Sequence, residues 1–458
     1  MRVLHAIHDF LPEAQAGSEI YTFELCRALL DRGHHVTVVC ATFNPERPHG
    51  HVHWRVFDGV PVVELTNNWI CTTFEDTYHD PVINGRLESV LRAVQPDVVH
   101  VHNLLNLSFD LPRLARQHGA RTVATLHDYT LVCPSGGQRL HRADAHVCRR
   151  IEPDRCARCF AESPFGTRAA WGRLARRQRL AGPLTIAARA VRAVAPRLTA
   201  TVAAHLPTLP ATEADIRERL AAAGRVFATI DQFIAPSPSI RTEFVALGLP
   251  AERVQVSDYG FRSAARRTRS PMRGGPLRVG FVGTPVWHKG VHVLIDAFRH
   301  LTDAQASLTI VGDLRIFPEF VAQLRAQANG LPVQFLGALP RTEVAGAYDA
   351  FDVLVVPSLW LENSPLVIHE AQVAGVPVVG ADIGGIPDLV SHGDNGLLFE
   401  PGNAVALAGC LRTLADDRAL LAHLSERALP VKSIDDDAYE WEERYRALLP
   451  AAVPATTL

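Results

Sequence analysis

The strongest constraint on the fold is an alternation of short apolar runs with amphipathic helical segments, which begins near the first residue. Residues 2–8 and 36–41 predict buried strands, and residues 19–32 between them predict a helix. Residues 97–102 and 122–126 predict two more strands. Repeated βαβ units form parallel sheets, which bind ligands at the carboxyl ends of their strands. The first part of the chain is therefore expected to be a Rossmann-like α/β domain.

A second series of the same kind follows a basic, turn-rich stretch at residues 262–276, which is interpreted as an interdomain linker. Its predicted strands are residues 277–282, 307–311, 333–335, 353–356 and 376–380. Its predicted helices are residues 291–301, 318–327, 342–349, 365–374 and 404–414, and one more helix is expected over 435–449. The 458 residues are enough for two α/β lobes, each with its own core.

Charge separates the two halves of the chain. Residues 271–458 carry 13 basic and 22 acidic side chains, a net charge of -9, whereas residues 1–270 carry 33 basic and 26 acidic side chains, a net charge of +7. The total of -2 gives no reason to expect nucleic-acid binding. Of the 46 basic residues, 44 are arginine, and the two lysines are Lys289 and Lys432.

Three further observations bear on the compartment. No run of about 18 apolar residues, the length that spans a bilayer, is present. The N-terminal sequence MRVLHAIHDF is too short and too polar to serve as the apolar core of a signal peptide. Eight cysteines are too few for a disulfide scaffold in a chain of this length. A cytoplasmic protein is expected.

Two glutamates with seven residues between them mark the start of a predicted helix in the second lobe. Glu362 follows the strand at 353–356, and Glu370 lies on the second turn of the helix that Pro365 is expected to open. Free N–H groups at a helix start bind anions or hydroxyl groups, and two carboxylates beside them suit a polyhydroxylated ligand. The simpler interpretation is a solvated capping pair. The candidate binding residues are Glu362, Asn363, Ser364, Pro365, Leu366 and Glu370.

Another loop of the same lobe places a lysine beside a second helix start. Gly283 and Thr284 follow the strand at 277–282, and Lys289 precedes Gly290, where a helix is expected to begin. A phosphate would be held there by the ammonium charge and by backbone donors. The spacing of a P-loop is missing, and the competing interpretation is an ordinary surface lysine.

Together with the paired glycines at 384–385, these motifs have the order and spacing found in family 4 glycosyltransferases of the GT-B fold. The chain resembles that family over nearly its whole length, most strongly over residues 277–425. The resemblance implies two Rossmann-like, doubly wound domains that face each other across a cleft. Residues 1–262 would form the acceptor-side domain and residues 276–430 the nucleotide-sugar domain, while residues 431–458 would pack back on the N-terminal domain as a helix.

The resemblance also implies roles for the motif residues. Glu370 would bind the ribose of a nucleotide-diphosphate sugar, Glu362 the transferred sugar, and Lys289 the diphosphate. Many members have arginine at the position of Thr284, so here the diphosphate is expected to depend more on Lys289 and on helix dipoles, or on an arginine elsewhere. No divalent metal is expected to be needed for catalysis.

The first lobe offers a matching set. The run from Ala16 to Glu19 resembles the GG-x-E loop of the family, with Gly17 letting backbone amides approach the donor phosphates or the acceptor. Alternatively, Ser18 is simply the N-cap of the helix. His127 corresponds to a family histidine that reaches the donor sugar near its anomeric carbon, so Glu362, His127 and Lys289 are the predicted catalytic residues. The acceptor side is expected to be lined by His102, Asn103 and Asp128, and His100 is a further candidate.

Four of the eight cysteines fall within 27 residues. They are Cys133, Cys148, Cys156 and Cys159. One CxxC pair with two outlying cysteines is compatible with a structural four-thiolate zinc site, in which His141 or His146 would be possible substitute ligands. An iron–sulfur cluster, redox-active thiols and independently buried cysteines are the alternatives.

Residues 163–212 contain no acidic side chain, and eight arginines lie between positions 168 and 197. Such a segment can lie on an anionic membrane surface, with the inner face of the cell membrane as the expected location. A solvated helical insertion or a flexible lid is an equally favoured alternative.

The predicted activity is transfer of a hexosyl-type sugar, with retention at the anomeric carbon, to a hydroxyl of a glycan, lipid-linked or small-molecule acceptor, as in polysaccharide biosynthesis. A GT-B sugar-nucleotide epimerase or phosphorylase shares the expected lobes, and a non-catalytic sugar-nucleotide binder is a third possibility. A dinucleotide-dependent oxidoreductase is disfavoured because no G-x-G-x-x-G follows the first strand of either lobe.

Overall fold

The computed structural model describes residues 1–44, 46–166, 168, 209–262, 274–302 and 305–450. The chain divides into two units. Unit 1 comprises Met1–Ala235, Glu243–Ser257 and Asp435–Leu458, and unit 2 comprises Pro236–Thr242 and Asp258–Ile434. Most of the predicted linker at 262–276 and of the arginine-rich stretch at 163–212 lies outside the described residues, as does any membrane surface formed by that stretch.

Unit 1 is built on an eight-stranded sheet. In chain order its strands are β1 (Arg2–Ile7), β2 (His35–Thr42), β3 (Val52–Phe57), β4 (Val60–Thr66), β5 (Val98–Val101), β6 (Arg121–Thr125), β9 (Gln232–Ala235) and β10 (Val254–Val256). Across the sheet the order is β10-β9-β6-β5-β1-β2-β4-β3. All neighbours are parallel except β3 and β4. The short strands β7 (Leu140–His141) and β8 (His146–Val147) form a separate antiparallel hairpin.

Helices cover the sheet of unit 1 because its central strands are apolar on both faces. All of β5 is buried, and so is β1 after its first residue, as expected for parallel strands between helical layers. The helices are α1 (Gly17–Asp31), α2 (Pro81–Val94), α3 (Leu111–Gln117), α4 (Pro153–Glu162) and α5 (Glu213–Thr229), while α6 (Pro238–Ala246) contributes residues to both units.

The hairpin of β3 and β4 was missing from the sequence prediction, although the sequence contains its signal. Asp58 and Gly59 join the two strands and both have positive φ, 45° and 82°. An Asp-Gly pair is a preferred two-residue turn for an antiparallel hairpin, because its twist matches that of the strands. The edge strand β3 leaves Trp54 about half exposed, which weakens the apolar alternation on which the prediction relied.

Unit 2 contains a six-stranded parallel sheet. Its strands are β11 (Leu277–Val282), β12 (Ala306–Val311), β13 (Val333–Gly337), β14 (Val353–Val356), β15 (Val378–Ala381) and β16 (Gly396–Phe399). The spatial order is β13-β12-β11-β14-β15-β16. The helices are α7 (Val291–Phe298), α8 (Pro318–Gln327), α9 (Arg341–Ala347), α10 (Leu366–Val373), α11 (Ile386–Leu389), α12 (Ala404–Asp416) and α13 (Arg418–Glu426).

The last helix, α14 (Ile434–Leu448), belongs to unit 1. The Trp441 indole N–H donates to the Tyr21 hydroxyl over 2.9 Å, and that hydroxyl donates to Asp437 Oδ2 over 2.7 Å. Trp441 and Tyr445 are among the most buried large side chains of the described chain. The returning helix therefore completes the core of unit 1 beside α1.

Two Rossmann-like α/β units with parallel sheets confirm the predicted fold class. Within the part of the chain described above, no helix combines the length and the hydrophobicity needed to cross a bilayer.

Candidate functional site

The main group of predicted residues in unit 2 lies where the strand order reverses. From β11 the chain first adds β12 and β13 on one side of the sheet. It then adds β14, β15 and β16 on the other side, so the order reverses between β11 and β14. Ligands of open α/β sheets bind at the carboxyl ends of the strands at such a switch point. The loop after β11 carries Lys289, and the loop after β14 carries Glu362.

These two residues form an ion pair. Lys289 Nζ donates to Glu362 Oε1 over 2.6 Å, and the Ser358 hydroxyl donates to the same oxygen over 2.6 Å. The ammonium also lies 5.4 Å from the centre of the Trp360 ring. Glu362 is only 4% exposed, whereas about a third of the Lys289 side chain reaches solvent. Burying a carboxylate is costly unless it is paired, and here a lysine and a hydroxyl pair it.

Glycines bring the loops of this site close together. A Cβ added to Gly290, which has φ of 70°, would lie 1.8 Å from the Pro357 carbonyl oxygen. A Cβ on Gly385 would lie 1.7 Å from the Asn363 carbonyl oxygen, and the Gly385 N–H donates to the Glu362 carbonyl over 2.7 Å. Any side chain at these positions would separate the backbones, so the glycines set the position of the Glu362 loop.

Glu370 is oriented by a tyrosine that the sequence analysis did not identify. The Tyr348 hydroxyl donates to Glu370 Oε2 over 2.5 Å, and Tyr348 is 1% exposed. Burial, followed by the charge of Glu370, raises the pKa of Tyr348 well above its ordinary value, so the phenol stays protonated as a donor. One carboxylate oxygen of Glu370 is thereby held in place, which fixes the direction of the other.

A second unpredicted contact supports the same loop. The Ser364 hydroxyl donates to Asp258 Oδ1 over 2.7 Å and lies 2.8 Å from His369 Nε2. His369 is buried inside α10, where burial lowers its pKa and the charge of Asp258 opposes that shift. Asp258 is 106 residues from Ser364 in the chain, which is why no local pattern reveals the pair.

The other predicted donor-binding residues lie around this group. Gly283 follows β11 with φ of 140°, and Thr284 comes next and is half-buried. Asn363 is buried, and its side-chain oxygen has no hydrogen-bond partner within the described structure. The predicted place of Pro365 in the first turn is wrong by one residue, because it has extended backbone geometry as the N-cap and α10 begins at Leu366.

In unit 1, three histidines form a buried hydrogen-bonded chain. His5 Nδ1 lies 2.9 Å from His102 Nε2, and His102 Nδ1 lies 2.9 Å from His127 Nε2. They come from β1 and from the carboxyl ends of β5 and β6, which are neighbours in the sheet. Tyr21 of α1 packs against the ring of His127, with centroids 5.6 Å apart. The sequence predicted that His102 and His127 would be functional but not that His5 links to them.

Burial keeps these histidines neutral. It lowers the pKa of His5 and of His127 from 6.5 to about 3 in each case. It also lowers the pKa of His102 and His100 well below the ordinary value, and neighbouring histidines add to the effect. A neutral imidazole has one donor and one acceptor nitrogen, so the chain must consist of donor–acceptor pairs.

The remaining unit 1 predictions fall at the same sheet edge. The Asn103 amide donates to Asp128 Oδ2 over 2.6 Å, and burial raises the pKa of Asp128. Gly17 is the first residue of α1, and Ala16 is its N-cap, so the alternative that made Ser18 the N-cap is wrong. The Ser18 hydroxyl donates instead to Glu19, which lies 3.2 Å from His8 Nε2.

His5, His100 and His102 have ring nitrogens within 4.8 Å of one another, but their hydrogen bonds argue against a metal. Both nitrogens of His100 are occupied, by the Tyr445 hydroxyl at 2.7 Å and the Thr125 hydroxyl at 2.8 Å. Both nitrogens of His102 are occupied by the other two histidines of the chain. A metal would have to replace these bonds, and the residues therefore do not fit one.

The four clustered cysteines are brought together in unit 1. They line a single cavity of about 20 Å³, and all of them are free thiols. Burial, followed by neighbouring cysteines, raises the pKa of Cys148 to about 11 and that of Cys156 to about 12. A reactive thiol needs a lowered pKa, so the interpretation as redox-active thiols is disfavoured. His141 Nδ1 lies 3.0 Å from Asp144 and its Nε2 lies 2.8 Å from Glu162, so both ring nitrogens are next to carboxylates.

Two Rossmann-like units with parallel sheets match the architecture of GT-B glycosyltransferases. The chain belongs to the family 4 glycosyltransferases of that class. Residues 16–174 match the family described as Glycosyltransferase Family 4, and residues 276–417 match the one described as Glycosyl transferases group 1. Together, these two matches include Gly17, His102, His127, Lys289 and both glutamates, but not His5.

Similar curated proteins are also sugar-transferring enzymes by name. The amylovoran biosynthesis glycosyltransferase AmsK of Erwinia amylovora is 31% identical over 43% of this chain and 50% of its own length. A glycogen synthase of Mycobacterium tuberculosis is 33% identical over 46% of this chain and 51% of its own length. The chain thus spans about half the length of the curated relatives it matches.

Solved structures share the fold over almost the whole chain. HepE of Anabaena, in complex with UDP and glucose, has a TM-score of 0.64 and 18% identity, with 98% of this chain and 100% of HepE covered. Sucrose-phosphate synthase of Thermosynechococcus elongatus has a TM-score of 0.65 and 17% identity, with 97% and 98% covered. At this identity the likeness establishes the fold.

Proposed function

We propose that the protein is a retaining glycosyltransferase that moves a sugar from a nucleoside-diphosphate donor to a hydroxyl group of an acceptor. The observation that carries the proposal is the Lys289–Glu362 ion pair at the switch point of unit 2, with the Tyr348–Glu370 hydrogen bond beside it. This set offers a cation for a diphosphate and two held carboxylates for hydroxyl groups. That HepE was solved with UDP and glucose supports a nucleotide sugar as donor.

Each held group has a proposed task. Glu370, whose carboxylate Tyr348 orients, binds the ribose hydroxyls, and Glu362 accepts hydrogen bonds from the transferred sugar. Lys289 neutralises the charge that develops on the departing diphosphate, because a fixed cation stabilises a transition state more than it stabilises the ground state. The helix start at Gly290 adds backbone N–H donors to the same loop.

We propose that the leaving phosphate oxygen accepts the proton of the attacking hydroxyl on the same face of the sugar. His127 is the predicted catalytic residue of unit 1. Because it is buried and neutral, it is suited to donating or accepting a hydrogen bond rather than to acting as a cationic acid. A glycan acceptor is proposed because one relative is named as a glycogen synthase.

The test uses the purified full chain with UDP-, GDP- and ADP-sugars. Thermal shifts identify the donor, and release of the nucleoside diphosphate is then measured with and without glycan acceptors. We expect release to depend on the acceptor and the product to keep the donor's anomeric configuration, read from the anomeric coupling in proton NMR. Binding without any turnover would identify a sugar-nucleotide binder, and epimerised donor without transfer would identify an epimerase. Either result would overturn the proposal.

A further inference from the structure

The four clustered cysteines reach one cavity from three separate parts of unit 1. Cys133 lies in the turns after β6, Cys148 directly follows β8, and Cys156 and Cys159 lie on α4. Because the last two are three residues apart on a helix, they share one face. The cavity, which Arg139, Arg150 and Arg155 also line, has a volume of about 20 Å³, which is room for one body the size of a water molecule.

We propose that Cys133, Cys148, Cys156 and Cys159 bind one zinc ion as a structural centre. Zinc prefers a tetrahedral set of thiolates, and four cysteines from three segments can supply it without leaving a position for substrate. Each thiol releases its proton to solvent when it binds the ion. A single ion is the smallest centre that four thiolates hold, and the experiment below distinguishes it from an iron–sulfur cluster.

The four cysteine side chains line the cavity wall. Their sulfur atoms are not gathered around one point, unlike the ring nitrogens of His5, His100 and His102, which lie within 4.8 Å of one another. Binding therefore requires the thiols to turn inward about their Cα–Cβ bonds. The Cys148 N–H donates to the Arg139 carbonyl and the Cys133 N–H to the Tyr129 carbonyl, both over 2.8 Å, so backbone hydrogen bonds hold these two residues in place.

The segment has reason to need a metal. In the segment from Cys133 to Glu162, the hairpin strands have two residues each. The buried apolar side chains of this segment are few, chiefly Leu140, Ala157 and Phe160. Small elements with little core are commonly stabilised by a structural metal. The segment also begins beside the predicted site, since the Thr130 N–H donates to Asp128 Oδ1 over 2.7 Å. Zinc would thus hold the loop that follows His127.

The experiment measures metal content in the full chain, purified without added metal or chelator, by mass spectrometry. We expect one zinc per chain, released when an organomercurial titrates four thiols. The double variant C156S/C159S should lose the zinc, whereas the matched variant C410S, whose cysteine lies in α12, should keep it. Wild-type protein that lacks zinc, or that contains iron with absorbance near 400 nm, would overturn the proposal. Because the wild-type measurement stands by itself, a variant that fails to fold leaves the test intact.

A different observation concerns the histidine chain. His5 Nε2 is fully buried and has no hydrogen-bond partner in the described structure. Among buried backbone groups, orphaned N–H donors are rarer than under-satisfied acceptors, and by the same reasoning we take this nitrogen as the one without a proton. The proton of His5 then lies on Nδ1 and is donated to His102 Nε2. His102 in turn carries its proton on Nδ1 and donates it to His127 Nε2.

We infer that His5 and His102 act as positioning residues that hold His127 as the Nδ1–H tautomer. In that state Nε2 of His127 is an acceptor occupied by His102, and Nδ1–H is the donor on the other side of the ring. A change of tautomer at His127 requires all three rings to change together. The catalytic consequence of this inference rests on the proposed function, whereas the tautomer itself does not.

The tautomer is measured by nitrogen NMR of the full chain with ¹⁵N-labelled histidine, since Nδ1–H and Nε2–H rings give different couplings to the ring protons. Wild type should show Nδ1–H at His127. His5→Phe should give mixed tautomers and lower kcat by about tenfold. His5→Asn should restore both, because its side-chain amide can donate from the position of Nδ1. A wild-type Nε2–H ring at His127 would overturn the inference. The expected NMR pattern without turnover would count against the proposed function alone.

Discussion

The ammonium of Lys289 lies 2.6 Å from the carboxylate of Glu362, although 73 residues separate them in the chain. The family resemblance assigned the two side chains to different parts of a ligand, and the fold makes them partners. Each holds the other in a partly buried position, so neither has to be ordered when a ligand arrives. Such preorganisation is how charged groups contribute most to catalysis.

Replacing Lys289 by methionine should remove the cation while keeping most of the side-chain volume. We expect kcat to fall by about 100-fold or more, as for the loss of one charged stabiliser of a transition state. The chain offers a matched control, because Lys432 is its other lysine, and Lys432→Met should leave kcat within about twofold of wild type. Equal kcat values for the two variants would refute the role of Lys289.

Replacing Tyr348 by phenylalanine tests the orientation of Glu370. The variant loses one hydrogen bond to a carboxylate, which should weaken nucleotide binding by about tenfold. Because Glu370 is proposed to bind the ribose, KM for the donor should rise while KM for the acceptor stays constant. Tyr439→Phe is the control, since Tyr439 is 54% exposed. A change confined to the acceptor KM would place Glu370 elsewhere in the reaction.

The glycine contacts predict opposite effects for two alanine substitutions. Gly385→Ala places a Cβ 1.7 Å from the Asn363 carbonyl oxygen, so it should destabilise unit 2 and weaken donor binding. Gly409→Ala in α12 meets no atom within 4 Å and should stabilise the protein by up to about 1 kcal/mol, because alanine favours helix more than glycine does. Thermal unfolding with and without a bound nucleotide sugar measures both effects. Identical behaviour of the two variants would contradict the close approach of Gly385 to the Asn363 carbonyl oxygen.

The buried histidines predict how stability depends on pH. In the unfolded chain they bind protons near pH 6.5, whereas in the folded protein His5 and His127 do so only near pH 3. Between these values the unfolded chain binds more protons, so the free energy of unfolding should fall as pH is lowered, by up to about 1.4 kcal/mol per pH unit for each histidine. Stability from this source should be fully present above pH 7.

Chemical unfolding at pH 7, 6 and 5, followed by circular dichroism, measures that slope. His5→Asn has no titratable group at this position, so its slope should be shallower than that of wild type by about one proton. Parallel slopes for the two proteins would mean that His5 does not contribute to the pH dependence.

Periodicity was enough to predict most parallel strands and their helices, because apolar runs and strand-end glycines are local signals. It missed β3 and β4, whose exposed edge lacks a clean alternation, and it placed the N-cap of α1 two residues too late. The sequence also indicated Lys289, Glu362 and His127, which lie in the segments that follow predicted strands, and Glu370, which lies on the helix after Glu362. The roles assigned to them came from the family resemblance.

The partners of these residues depend on the fold. Tyr348, Asp258 and His5 carry no local signal. Their partners Glu370, Ser364 and His102 lie at least 22 residues away in the chain and are brought near only by the fold. The hydrogen bond between His5 and His102 spans 97 residues and exists because β1 and β5 are neighbours in the sheet. The sequence by itself therefore determined which elements form and which side chains lie at strand ends. Only the tertiary structure decided which side chains pair with one another. Lys289 and Glu362, for example, are 2.6 Å apart in space but 73 residues apart in the chain, and the sequence separation does not reveal that distance.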